Sequence, residues 1–141
     1  MILFDTSVVI DARDAASPFH DWAKLQIAKA VATEGAAVNT VVISEAGVRA
    51  EKRENLDRHL ENLGITLLPL PVSSALPAAR AYALYLDRLK AEGKNARSKI
   101  PMGDFFIGAH AEAEGMKLVT RDPARVQKYF PNVTLVQPVL S

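Results

Sequence analysis

ILFDTSVVID, running from Ile2 to Asp11, sets the pattern by which the rest of the chain is read. Three apolar residues, Ile2 to Phe4, lead straight into an acid, Asp5. A short apolar run ending at a polar residue suits a strand buried in a sheet. A helical stretch starting near Thr6 or Ser7 follows, so the opening reads as strand, acid, helix. The pattern returns downstream. AVNTVVI, Ala37 to Ile43, is rich in β-branched residues and reads as a second strand. Two residues beyond it stands Glu45, in the first turn of a helix capped by Ser44 and running to about Asn62. Leu56, Leu60 and Leu63 recur there at helical spacing before Gly64. Ile65 to Leu68 is a third strand closed by Pro69 and Pro71, and Leu118 to Thr120 is a fourth, with Asp122 two residues on. Val133 to Val136 supplies a fifth.

Helical stretches separate these strands. One covers roughly Phe19 to Thr33 and stops at Gly35, and another carries an apolar stripe of Ala75, Ala79, Tyr82, Leu86 and Leu89. Gly93 to Gly103 reads as a basic loop, Asp104 opens a short apolar helix to about Glu114, and a brief helix spans Ala124 to Tyr129. Such alternation predicts crossover units and a mostly parallel sheet covered on both faces. The expected fold is therefore α/β, a three-layer α/β/α sandwich of about five strands forming one domain over residues 1–141.

Composition narrows the chemistry. The chain has 141 residues, 49% of them apolar, enough to bury a core. The absence of cysteine excludes disulfides, thiolate nucleophiles and thiolate metal sites. An acid at position five breaks any signal-peptide pattern, and no window approaches the roughly 20 apolar residues of a membrane span. A cytoplasmic protein is expected. The formal net charge of +1 neither requires nor forbids a nucleic-acid partner.

The acids carry the functional reading. In a parallel sheet, Asp5, Glu45 and Asp122 would all lie along the edge where strands end, which is where such folds place ligands. Asp104 begins a helix leading back into a strand, so its N-terminus belongs at the same edge. Four carboxylates on one rim would repel one another unless a cation joined them. A hard divalent ion, Mg²⁺ or Mn²⁺, takes such oxygens, activates water and stabilises a leaving oxygen. Phosphodiester hydrolysis follows naturally, since His20, His59 and His110 are scattered and offer little alternative.

These residues also resemble a known family. FDTSVVID (Phe4 to Asp11), NTVVISEA (Asn39 to Ala46), MGDFFIGAHA (Met102 to Ala111) and LVTRD (Leu118 to Asp122) are similar in order and register to segments of PIN domains, specifically the VapC-type toxins of bacterial toxin–antitoxin pairs. The ending KYFPNVTLVQP (Lys128 to Pro138) is similar as well. The resemblance places the family's four acids on Asp5, Glu45, Asp104 and Asp122, and supporting hydroxyls on Thr120 and Ser7. It implies Mg²⁺- or Mn²⁺-dependent endoribonuclease activity on RNA, a cognate antitoxin partner and homodimerisation. Phe105 and Phe106 depart from the small residues common after the third acid, and would either narrow the pocket or pack in the core.

Other readings fit the same residues. A haloacid-dehalogenase-like phosphatase also ends its first strand in Asp but wants a second Asp where this chain has Ser7. A PIN-like module that binds RNA or protein without cutting keeps the same fold. Arg121, Lys99 and Arg97, with Lys94, are candidates for RNA phosphate contacts, with a structural ion pair as the alternative for Arg121. His110 and Trp22 read as packing residues. Arg49, Lys52, Arg53 and Arg58, mixed with acids, read as a solvated face or the border of an antitoxin groove.

Overall fold

The computed structural model describes residues 1–93 and 100–139. Its sheet is built from β1 (Ile2–Phe4), β2 (Ala36–Asn39), β3 (Ile65–Leu68), β4 (Lys117–Val119) and β5 (Leu135–Val136). The strands are ordered β3-β2-β1-β4-β5 and every pairing is parallel. β1 lies at the centre, with Leu3 opposite Ala37 on one side and Leu118 on the other. Strands covered on both faces call for continuous apolar runs, and β1 and β2 are buried along their whole lengths. The chain steps outward from β1 to β3, then crosses back to β4 on the far side. The sheet therefore changes winding direction between β1 and β4.

Around it lie α1 (Thr6–Arg13), α2 (His20–Ala32), α3 (Thr40–Arg49), α4 (Leu56–Asn62), α5 (Ala75–Ala91), α6 (Gly103–Glu114) and α7 (Pro123–Tyr129), with short 3-10 turns at Arg53–Asn55 and Val72–Ser74. This is the expected α/β architecture. Among the described residues, no helix is long and apolar enough to cross a membrane.

Several elements differ from expectation. The run Thr40 to Ile43 is helical rather than extended, and a break after Arg49 divides the anticipated long helix into α3 and α4. The Asn39 side chain explains the early start: its Oδ1 accepts a hydrogen bond from the Val42 amide at 3.0 Å. Such a cap contributes about 1 kcal/mol, which offsets part of the few tenths that each of the four β-branched residues costs in a helix; burial of Val42 against the core adds to it. At the other end the Arg53 guanidinium donates to the carbonyls of Gly47 at 2.8 Å and Val48 at 3.4 Å, closing α3. Glu45 consequently sits in the second turn of α3, outside the strongest part of the helix dipole.

On α5 the buried face is Ala78, Ala81 and Tyr85, flanked by Tyr82, Leu86 and Leu89, while Ala75 and Ala79 are exposed. Aromatic packing sets this rotation. Tyr82 and Tyr85 lie 5.1 and 5.4 Å from the ring of fully buried Phe105, which also meets Tyr129 at 5.4 Å. Phe105 is thus a core residue and leaves the rim clear.

Candidate active site

The point where the sheet reverses its winding leaves a crevice beyond the strand ends. Asp5 enters it directly from β1 and caps α1, its Oδ1 accepting from the Thr6 amide at 2.7 Å. Its Oδ2 accepts from the Thr120 hydroxyl at 2.8 Å. Thr120, just past β4, is fully buried and its Oγ1 in turn accepts from the Asp122 amide at 3.0 Å. This chain of bonds fixes the ends of β1 and β4 to each other and orients the Asp5 carboxyl.

Glu45 arrives from α3, and its Oε1 accepts from the Thr6 hydroxyl at 2.6 Å. Asp104, the second residue of α6, brings its carboxyl close enough to Glu45 to oppose that group's ionisation. Asp122 stands at the start of α7 with its side chain 57% exposed, the most open of the four. All four acids line one cavity of about 260 Å³, together with Ser7 and Arg125. A larger groove of about 680 Å³ between α1 and the end of α3 is lined by Arg13, Arg49 and Lys52 together with Asp14 and Glu51. It contains none of the four acids.

Negative charge is crowded in the smaller cavity. Burial pushes the Asp5 carboxyl above its ordinary range, opposed by the Thr120 and Thr6 hydrogen bonds and reinforced by Asp104. Burial likewise raises Glu45, with the Thr6 hydroxyl opposing and the Asp104 and Asp5 carboxyls adding to the rise. Arg125 offsets part of the charge: its Nη1 donates to Asp104 Oδ2 at 3.2 Å, and its Nη2 lies 3.4 Å from Asp122 Oδ2.

The donor set suits a hard divalent cation, because it consists of carboxylates and hydroxyls with no sulfur or imidazole. The Ser7 hydroxyl, buried at the cavity wall, has no hydrogen-bond partner among the described residues. As they stand, no three acid or histidine side chains among the described residues are grouped to hold an ion. Each carboxylate already has a partner: Thr120 and Thr6 for Asp5, Thr6 for Glu45, and Arg125 for Asp104 and Asp122.

The candidate phosphate contacts fare differently. Arg121 turns away from the cavity, with Nε 2.6 Å from Asp11 Oδ2 and its guanidinium 4.9 Å above the Phe19 ring. Asp11 also accepts from the Ser17 hydroxyl at 2.9 Å and is nearly buried, so Arg121 serves the structural ion pair. Lys94, Arg97 and Lys99 lie outside the described residues. His110 is a core residue whose Nδ1 meets the Asn39 amide nitrogen at 3.1 Å, and burial holds its pKa low. Through Asn39 it ties the start of α3 to α6, and hence the carriers of Glu45 and Asp104 to each other.

Sequence reasoning missed Thr6, Asn39 and Arg125. Arg125 had a usable signal, since it stands three residues after Asp122 and such spacing places both on one helical face. Thr6 and Asn39 had none beyond ordinary capping preference.

A family model described as PIN domain matches residues 2–130. Among solved structures, VapBC2 of Rickettsia felis bound to a promoter DNA fragment is 19% identical, with a TM-score of 0.68 over 99% of this chain and 100% of that one. FitAcB of Neisseria gonorrhoeae is 22% identical, with a TM-score of 0.62 over 98% of each chain. DNA-bound VapBC of Salmonella typhimurium is 14% identical, with a TM-score of 0.65 over 97% and 98%. Sequence comparison with curated proteins finds no match.

Proposed function

This chain belongs to the PIN domain family, and on that footing we propose that it is an endoribonuclease that hydrolyses RNA phosphodiester bonds with Mg²⁺ or Mn²⁺. The observation that carries this reading is the convergence of Asp5, Glu45, Asp104 and Asp122, from four separate elements, on one cavity at the strand ends. In the proposed reaction these four would hold the cation, directly or through water. A cation so held lowers the pKa of a bound water and offsets charge at phosphorus.

The chain's own groups then have distinct tasks. Thr120 and the Thr6 amide fix the orientation of Asp5, which enters from the central strand. The Thr6 hydroxyl holds Glu45. Ser7, with an uncommitted hydroxyl, orients water or a phosphate oxygen. Buried Ile107, Gly108 and Leu118 give the cavity an apolar side behind the acids.

The likeness in fold to chains from VapBC complexes supports a narrower reading, the toxin of a toxin–antitoxin pair. A cognate antitoxin protein, a homodimer and a cytoplasmic setting belong to that proposal. Asp5→Asn and Asp104→Asn should each lower metal-dependent RNA cleavage by at least about 10-fold while leaving the circular-dichroism spectrum unchanged, since losing a ligand costs no less than losing its support. Cleavage that survives both substitutions, or persists in chelator, would refute the metal-hydrolysis reading. RNA binding insensitive to chelator and without cleavage would select the non-catalytic alternative. Induced expression should slow growth, with rescue by the product of a short adjacent reading frame.

A further inference from the structure

Among the described residues, Arg125 is the one cationic side chain lining the acid cavity. It sits in the first turn of α7, where the helix dipole disfavours positive charge. The acids compensate. One nitrogen of its fork reaches Asp104 at 3.2 Å and the other approaches Asp122 at 3.4 Å. The side chain is 36% exposed and that of Asp104 is 26% exposed, so the contact is open to solvent at one side. Half-exposed ion pairs are weak, and exchange of partners is correspondingly cheap.

A phosphodiester arriving at this cavity is an anion facing four carboxylates. A site that must accept it needs positive charge that can leave the acids and turn outward. Arg125 stands at the mouth, and a guanidinium matches two phosphate oxygens at once. We propose that Arg125 is the exchangeable cation of this site. It pairs with Asp104 and Asp122 while the cavity is empty, releases them when their oxygens turn to a divalent cation, and then binds a non-bridging phosphate oxygen of the RNA strand. This rests on the nuclease reading above.

The experiment compares wild type with Arg125→Gln and Arg125→Lys in two arms, with thermal unfolding as the control for folding. The first is calorimetric titration with Mn²⁺ in the absence of RNA. Arg125→Gln, which removes the competing charge, should bind Mn²⁺ several-fold more tightly. Unchanged or weaker binding would mean that Arg125 merely holds the acids in shape, overturning the proposal. The second arm is steady-state cleavage of a short RNA. Arg125→Gln should raise KM about 10-fold or more, the scale of one charge-assisted contact, with a smaller change in kcat and partial recovery in Arg125→Lys. An unaltered KM would also overturn it. Wild-type protein that cleaves RNA alongside a variant of equal KM sinks only the Arg125 proposal. Wild-type protein that neither takes up Mn²⁺ nor cleaves RNA sinks both readings.

Discussion

At Glu45, burial and the neighbouring Asp104 and Asp5 carboxyls all oppose ionisation, while the Thr6 hydroxyl favours it. The net rise means that the folded chain holds this proton more tightly than the unfolded chain, whose ordinary value is 4.5. The resulting stabilisation is full below that value and is lost as pH rises through the higher folded value. Glu45→Gln keeps an acceptor for Thr6 and can donate to Asp104, without the charge. The metal-free variant should therefore unfold at a higher temperature than wild type at pH 7, and its lead should shrink as pH falls toward 4.5. Melting curves across that range check it, and a wild-type lead at pH 7 would show that the carboxylate is not strained. A carboxylate held at a cost in stability is the usual trade of stability for function. The sequence identified the acid but not its burden, because Thr6, its hydrogen-bond partner, lies 39 positions away.

Helix α6 carries Asp104 at one end and packs its middle on the aromatic core. Gly108 is where it comes closest: a Cβ added there would lie 2.5 Å from Cδ2 of the buried Phe130 ring. Gly108→Ala gains about 1 kcal/mol of helix propensity, but overpacking a filled core costs roughly 1–3 kcal/mol. The expected net result is destabilisation of up to about 2 kcal/mol, read from denaturant unfolding, because the gain does not cover the larger part of that range. Gly108 also lines the acid cavity, so cleavage should fall in the fraction that stays folded. A more stable variant would mean that Phe130 moves aside freely. The sequence showed an apolar helix here but gave no reason for a glycine within it. The same limit applied at Thr40–Ile43, where β-branched residues spoke for a strand and the chain instead starts a helix capped by Asn39 and packed through Val42.

For the molecule as a whole, the strand order brings β1 and β4 side by side and so places Asp5 beside Thr120 and Asp122. A cation bound at this junction would clamp α3, α6 and α7 to the central strand and bind only the folded state. Mn²⁺ should therefore raise the melting temperature, by the equivalent of about 2.7 kcal/mol at 100 times its Kd. The Asp5→Asn/Asp104→Asn double variant should lose that shift, and an equal shift in both proteins would place the ion elsewhere. The amino-acid sequence by itself determined the alternation of strands and helices, and with it the rim on which the four acids lie. Helix–strand alternation leaves a parallel sheet as the natural solution, and a parallel sheet puts all its strand ends on one edge. Only the tertiary structure decided the partner of each carboxyl: Thr120 for Asp5, Thr6 for Glu45, Arg125 for Asp104 and Asp122. Those pairings depend on strand order and on the rotation of each helix about its axis. Both are set by packing among residues up to 115 positions apart, which local sequence pattern does not encode.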